Sequence, residues 1–191
     1  KDIGARITGS AEAQMAINTA CQTMVECTKG QVSGYLNNGK NFILLGGDHS
    51  VSLGAVQALA DQYPSFGVLQ LDAHMDFRDS YAGFTYSHAA VMRRISELPQ
   101  VSSIVQVGIR DCATSEVDYA TSCSTDVHTF YDEDLSTALF EGRSWADLCK
   151  DIVSRCPDMV YVTTDIDGLD VRFCPSTGTP VPGGLSYSQW I

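Results

Sequence analysis

The sequence predicts a single α/β domain built on a parallel β-sheet. Short apolar runs that end in polar turn residues recur along the chain, and helix-like stretches separate them. Such runs are typical of strands buried on both faces, and alternation of strands with helices is typical of parallel sheets. With 191 residues, 44% of them hydrophobic, the chain can bury one sizeable core. We therefore expect one domain over residues 1–191.

Each element follows from its local pattern. Helices are predicted at residues 11–32, 52–62, 88–98 and 145–155. Strands are predicted at residues 42–45, 66–71, 103–108, 127–131 and 161–164. The second and third helices serve as crossovers between neighbouring strands. The sequence shows no internal repeat, low-complexity tract or linker.

The segment after the strand at residues 66–71 contains three side chains that can bind metal. Asp72, His74 and Asp76 stand at positions i, i+2 and i+4. In an extended strand this spacing places all three on one face. They also lie at the carboxyl end of the strand, where open α/β sheets bind ligands.

Two further predicted strands end in similar side chains. Residues 161–164 lead into Asp165 and Asp167, which we expect to share a face. Residues 42–45 lead through a pair of glycines, which permit a tight turn, to His49. The three strand ends together offer four carboxylates and two imidazoles.

This set of side chains indicates a divalent metal site. Four converging carboxylates without a cation would repel one another. Oxygen and imidazole donors without sulfur favour a hard or borderline ion such as Mn²⁺ over a structural zinc, and six ligands suit two ions that share bridging carboxylates. Any one motif alone would also fit a polar loop at a strand end, whereas the three together favour metal.

The blocks that carry these side chains resemble the signature blocks of the ureohydrolase family, which contains arginases, agmatinases, guanidinobutyrases and formimidoylglutamases. The matching blocks are residues 46–50, 72–76, 165–170 and 177–185. The resemblance implies a doubly wound parallel sheet with helices on both faces, the arginase-like three-layer sandwich. The family pattern continues beyond residue 185 with a helix and a strand, and fewer residues than usual precede the first block. We therefore expect the domain to be truncated and incomplete at both ends.

The resemblance also implies two manganese ions per chain. One ion would be bound by His49, Asp72, Asp76 and Asp165. The other would be bound by Asp72, His74, Asp165 and Asp167. Asp72 and Asp165 would then be the bridging carboxylates.

The activity implied is that of a hydrolase acting on linear amidines, agmatinase- or arginase-like, in which metal-bound hydroxide cleaves a guanidino or amidino carbon–nitrogen bond and urea is released. Asp76 would orient the hydroxide, and His88 would deliver a proton to the departing amine. His88 has a second interpretation as a helix-start residue hydrogen-bonded to backbone. Asp48 would cap a turn or orient a ligand.

Two alternatives to this activity stay open. The first is a formimidoylglutamase-like hydrolase, and the second is a metal-binding relative without catalysis.

The residues with which arginases usually hold an amino-acid head group are not evident around residues 81–88. Agmatine-like or guanidino-acid substrates are therefore favoured over arginine.

Composition restricts the partners. A formal net charge of −11 argues against nucleic-acid binding, and the sequence has no apolar run long enough to span a bilayer, so no membrane partner is expected. Seven cysteines without a CxxC pair indicate reduced thiols and a cytoplasmic protein. We expect a small-molecule guanidino or formimino substrate, and the resemblance implies a homo-oligomer, a trimer or hexamer.

Overall fold

The four-stranded parallel sheet is the main feature of the computed structural model, which describes residues 11–191. Residues 1–10, which the predicted domain includes, lie outside the described residues. The strands are β1 (Phe66–Leu71), β2 (Val101–Ile109), β3 (Asp126–Tyr131) and β4 (Val160–Thr164). Their order is β3-β2-β1-β4, and each neighbouring pair is parallel. The predicted α/β fold with a parallel sheet is confirmed.

The chain divides into two compact units. The described part of the first unit contains residues 11–64 and Asp76–Leu98, and the second contains Ser65–Met75 and Pro99–Ile191. The prediction of a single domain over residues 1–191 stays a prediction.

In the second unit, two helices cover one face of the sheet. They are α5 (Asp132–Phe140) and α6 (Trp145–Ser154). Alternate residues of the central strands point to this face, because side chains along a strand alternate between its two sides. The cluster that results buries apolar side chains from both strands and both helices: Val105, Val107, Leu135, Leu148 and Ile152, with Leu69 and Leu71 packed against them.

The helices of the second unit begin at recognisable signals. Ser144 precedes α6, and its hydroxyl accepts a hydrogen bond from the backbone N–H of Asp147 at 3.2 Å. Helix α4 (Thr114–Ser122) begins where Glu116 reaches back to the N–H of Ala113 at 2.9 Å. Helix α5 carries three acidic residues in its first turn, where they interact favourably with the helix dipole. A short α7 (Tyr187–Trp190) follows near the end of the chain.

The first unit is helical and contains α1 (Ala11–Asn37), α2 (Ser52–Gln62) and α3 (Val91–Ser96). Helices α1 and α2 pack closely at Gly54, where an added Cβ would lie 2.4 Å from the carbonyl oxygen of Val25. A larger residue there would push the two helices apart, so glycine sets their approach. Among residues 11–191, no helix is both long and apolar enough to cross a membrane.

Several predicted elements need correction. The strand predicted at residues 42–45 is wrong: the segment pairs with no strand of the described chain, and Ile43 and Leu45 are 97% and 94% exposed. An apolar run becomes a strand only when a partner completes its backbone hydrogen bonds. The helix predicted at residues 88–98 is a 3₁₀ turn, His88–Ala90, followed by α3. Helix α1 continues past the predicted end to Asn37, and α4 and α5 were not predicted.

Candidate metal centre

Two similar turns follow the neighbouring strands β1 and β4. Leu71 pairs with Thr164, so both turns leave the sheet at the same edge. The backbone N–H of His74 donates to Asp72 Oδ1 at 2.8 Å, and the N–H of Asp167 donates to Asp165 Oδ1 at 3.3 Å. These hydrogen bonds close Asx turns, in which a side chain mimics a backbone acceptor. The turns, rather than an extended strand, therefore position the side chains that follow Asp72 and Asp165.

Asp72, His74 and Asp167 form a cluster within the second unit. His74 Nδ1 lies 3.2 Å from Asp167 Oδ2 and 3.5 Å from Asp72 Oδ1. One ligand atom from each residue lies within 4.8 Å of the others. Asp72 is fully buried and Asp167 is 3% exposed. Two buried carboxylates thus face one imidazole, and their combined charge attracts a cation.

The protonation of His74 reports how strongly this cluster attracts positive charge. Burial alone would lower the pKa of His74, but its hydrogen bonds to Asp167 and Asp72 outweigh burial and raise the pKa to about 10. A divalent ion at the same place would be stabilised by the same carboxylates. Carboxylate oxygens with an imidazole nitrogen are donors that Mn²⁺ accepts. The residues therefore fit a manganese ion.

Asp167 is held in place by residues from three other segments. The backbone N–H of Ala73 donates to its Oδ1 at 3.2 Å, and the hydroxyl of Thr179 donates to its Oδ2 at 3.0 Å. Arg110 donates to the Asp167 carbonyl at 2.5 Å and to the carbonyls of Leu169 and Val181 at 3.2 Å each. The loop that carries Thr179 thus contacts a candidate ligand directly, which the sequence did not indicate.

His49 and Asp76 lie together in the first unit. His49 Nδ1 lies 2.8 Å from Asp76 Oδ2, and their side chains are 4% and 7% exposed. Asp76 has a φ of 57°, a left-handed conformation that aspartate tolerates better than most residues. Its carbonyl accepts a hydrogen bond from the N–H of Met92 in the first turn of α3. The expectation that Asp76 continues an extended face with Asp72 and His74 is wrong, because β1 ends at Leu71.

His88 begins the 3₁₀ turn that precedes α3. Its Nδ1 lies 3.4 Å from Asp48 Oδ2, and its ring centroid lies 5.9 Å from that of Tyr81. The hydrogen bond from His88 holds the pKa of Asp48 well below its usual range, although burial opposes this. Asp48 also accepts the N–H of Ser50 at 2.8 Å, which confirms its predicted capping position. The proton-donating role of His88 stays a prediction.

Sequence reasoning missed two glutamines beside the cluster. Gln70 and Gln106 are fully buried in β1 and β2, and the Gln70 amide donates to Asp72 Oδ2 at 2.7 Å. A long polar residue inside an apolar strand was the available signal, because buried amides are costly unless they are hydrogen-bonded.

The fold and the site together define a class: α/β proteins with a parallel sheet and a candidate metal centre where neighbouring strands end. Within that class, the family model described as "Arginase family" matches residues 4–191. The chain therefore belongs to the arginase family, and the resemblance and the arginase-like fold are confirmed.

Individual relatives agree with this assignment. N(1)-aminopropylagmatine ureohydrolase of Thermococcus kodakarensis is 43% identical over 149 residues, covering 78% of this chain and 46% of the relative. Proclavaminate amidinohydrolase of Streptomyces clavuligerus is 37% identical, covering 84% and 51% respectively. The crystal structure of agmatine ureohydrolase of Thermoplasma volcanium superposes with a TM-score of 0.74 at 29% identity, covering 89% of this chain and 54% of that one. The chain spans about half the length of the curated relatives it matches.

Proposed function

We propose that this chain belongs to a manganese-dependent hydrolase that cleaves the carbon–nitrogen bond of a guanidino compound and releases urea. The observation that carries the proposal is the cluster of Asp72, His74 and Asp167, with both carboxylates buried, at the edge of the sheet. Relatives named ureohydrolase and amidinohydrolase support the reaction type. Agmatine and related guanidino compounds are the proposed substrate class.

The proposed metal ligands come from both candidate groups. Asp72, His74 and Asp167 are supported by their mutual distances and by the burial of the two aspartates. Asp165 is supported by the turn that it shares with Asp167. His49 and Asp76 are supported by their buried pairing and by family membership. Two ions per chain, bridged by Asp72 and Asp165, are proposed from the family resemblance.

Each remaining side chain has a proposed task. When bound, the manganese pair supplies Lewis acidity that activates water and offsets the negative charge developing in the transition state. Asp76 orients the attacking water, since His49 fixes its Oδ2 at 2.8 Å. His88 holds a proton for the departing amine nitrogen. Its side chain is 44% exposed, so it can exchange protons with solvent, and its Nδ1 lies 3.4 Å from Asp48 Oδ2.

Product release tests the proposed reaction. The longest available form of the protein is loaded with Mn²⁺ and offered agmatine, guanidinobutyrate, arginine and formiminoglutamate, and urea, formamide and ammonia are assayed. We expect urea from one guanidino compound. Formamide or ammonia released from formiminoglutamate, with no urea from any guanidino compound, would instead favour a formimidoylglutamase-like hydrolase. Bound manganese without any product would favour a relative that binds metal and does not catalyse.

A histidine pair tests the role of His88. His88→Ala should lower kcat by about 10²- to 10⁴-fold, the usual contribution of a positioned acid, without changing the manganese content. His128→Ala is the matched control, because His128 also pairs with an aspartate, Asp126, at 2.9 Å, but lies on β3. A kcat for His88→Ala equal to that of His128→Ala would contradict the proton-donating role and favour the interpretation of His88 as a helix-start residue.

The proposed surroundings are those of a cytoplasmic enzyme. All seven cysteines are free, as expected in a compartment that keeps thiols reduced. The net charge of −11 favours a cationic guanidinium substrate over nucleic acid. A homo-oligomer, trimer or hexamer, is proposed from the family resemblance.

A further inference from the structure

A chain of hydrogen bonds crosses three strands of the sheet and ends at Asp72. Thr129 of β3, Gln106 of β2 and Gln70 of β1 occupy paired positions in the sheet. The Thr129 hydroxyl donates to Gln106 Oε1 at 3.1 Å, and Gln106 Nε2 donates to Gln70 Oε1 at 2.6 Å. Gln70 Nε2 then donates to Asp72 Oδ2 at 2.7 Å. These three residues are here called the amide relay.

The direction of the amide relay is fixed by its other acceptors. Gln106 Nε2 also donates to the carbonyl of Met75 at 2.9 Å, and Gln70 Nε2 also donates to the carbonyl of His74 at 3.1 Å. Each amide therefore places its nitrogen between two acceptors and its oxygen against one donor. Rotating either amide by half a turn would bring oxygen against oxygen. The donors consequently all point from Thr129 toward Asp72, an arrangement in which each bond polarises the next.

The relay limits how the Asp72 carboxylate can rotate. Oδ2 accepts the Gln70 amide, and Oδ1 accepts the backbone N–H of His74 at 2.8 Å. Because each oxygen accepts a hydrogen bond from a fixed part of the chain, the plane of the carboxylate is set. A carboxylate oxygen has two lone pairs, so one that accepts a hydrogen bond can also bind a cation.

Packing alone does not account for two glutamines in this place. Gln70 and Gln106 are fully buried in the central strands, where an apolar side chain would avoid the desolvation of an amide. Polar groups buried at this cost are well suited to orienting a ligand that must meet a metal at a set angle.

We propose that Gln70, Gln106 and Thr129 are positioning residues for manganese binding by Asp72. The inference rests on the proposed function, in which Asp72 is a metal ligand. By holding the carboxylate in one orientation before the ion arrives, the amide relay removes a rearrangement that binding would otherwise require. Manganese affinity therefore depends on a hydroxyl in β3, two strands away from Asp72.

Metal titration of the chelator-treated chain tests the inference. Mn²⁺ binding is measured by calorimetry for the wild type and for Gln70→Met, Thr129→Val and Thr129→Ser. We expect Gln70→Met to weaken binding by about 10- to 100-fold, as for other residues that orient ligands. Thr129→Val, which preserves shape and removes the donor, should weaken it by roughly two- to tenfold. Thr129→Ser retains the hydroxyl and should bind like the wild type.

Ser102→Ala is the matched control. Ser102 lies in β2 and donates to the carbonyl of Phe66 at 3.1 Å, outside the amide relay. It should leave the affinity unchanged. Thermal unfolding of each variant, freed of metal, measures structural damage separately.

The outcomes separate the two claims. Wild-type affinity in both Gln70→Met and Thr129→Val would overturn the relay and leave the metal site standing. Equal losses in Thr129→Val and Thr129→Ser would also overturn the relay, because the hydroxyl would then be irrelevant. A wild-type chain that binds no Mn²⁺ would overturn the proposed function and the relay together.

Discussion

The turns at Asp72 and Asp165 have the same local hydrogen bond but different surroundings. Both follow adjacent parallel strands, and in both an aspartate accepts the N–H two residues later. In the first turn, Asp72 and the middle residue Ala73 are fully buried. In the second turn, the middle residue Ile166 is 57% exposed.

The difference shows two ways of fixing a carboxylate. The first turn is fixed from inside the sheet, through the amide of Gln70. The second turn is fixed mainly by other loops, because Thr179 binds the Asp167 side chain and Arg110 binds the Asp167 carbonyl, and the N–H of Ala73 in the first turn adds a further hydrogen bond to Asp167. Both turns carry two candidate ligands separated by one residue, Asp72 and His74 in the first and Asp165 and Asp167 in the second. Different parts of the chain nevertheless hold the two turns rigid.

Removing either aspartate should have the largest effect. Asp72→Ala and Asp165→Ala each delete a proposed bridging ligand, so both should lose bound manganese and urea production together. Metal content is measured by atomic absorption after dialysis. Two ions per chain retained in either variant would contradict the proposed coordination. If only one of the variants retained them, the turn that it alters would not be needed for metal binding.

Arg110→Met should weaken the second turn, whose Asp167 carbonyl Arg110 binds. Loss of a charged donor to partly buried carbonyls is expected to reduce the free energy of unfolding by about 1.5 to 3 kcal/mol, measured by urea denaturation. Arg172→Met is the control, because Arg172 also binds a loop residue, Asp170, but its side chain is 78% exposed. Equal losses in the two variants would show that Arg110 has no special role.

The middle residues of the two turns, Ala73 and Ile166, should differ in how much a substitution changes the free energy of unfolding. Ala73→Val adds two methyl groups to a filled site and should cost about 1 to 3 kcal/mol of unfolding free energy. Ile166→Ala changes an exposed side chain and should stay within about 0.5 kcal/mol. Thermal unfolding compares them. Similar values for both would mean that the two turns are equally packed.

His74 lies between carboxylates of both turns, so its titration should affect manganese affinity. Metal binding requires the neutral imidazole, and the pKa of about 10 means that a proton must leave first. Apparent affinity should therefore rise with pH, by up to about tenfold per unit, from about pH 6 to about pH 8. Calorimetry in buffers of different ionisation enthalpy measures the proton released. An affinity that levels off near pH 7 would indicate an unshifted His74.

The sequence predicted the parts of the fold that local patterns determine. Strand β1 was predicted with its observed bounds, because its sequence is a short apolar run followed by polar residues. Helix α2 was also predicted correctly. The strand expected at residues 42–45 does not form, because its pairing depends on a partner that composition cannot reveal. Helices α4 and α5 were missed; each buries little of its surface, so its apolar periodicity is weak.

The candidate ligands were predictable, and their supports were not. Asp72, His74 and Asp167 stand out because their residue types and spacing suit a metal. Gln106 and Thr179 lie 34 and 107 residues beyond Asp72 in the sequence, and only the fold brings them to the site. Long-range hydrogen bonds of this kind leave no local pattern.

The left-handed backbone at Asp76 restricts what can replace it. Asparagine tolerates a φ of 57° about as well as aspartate but loses the charge and one acceptor oxygen, whereas glutamate keeps the charge and fits that backbone less readily. Charge and conformation are therefore separate requirements on one residue. A comparison of Asn and Glu at this position would distinguish the need for charge from the need for the left-handed backbone. A single alanine substitution would remove the charge and disfavour that backbone at the same time, so it could not separate the two.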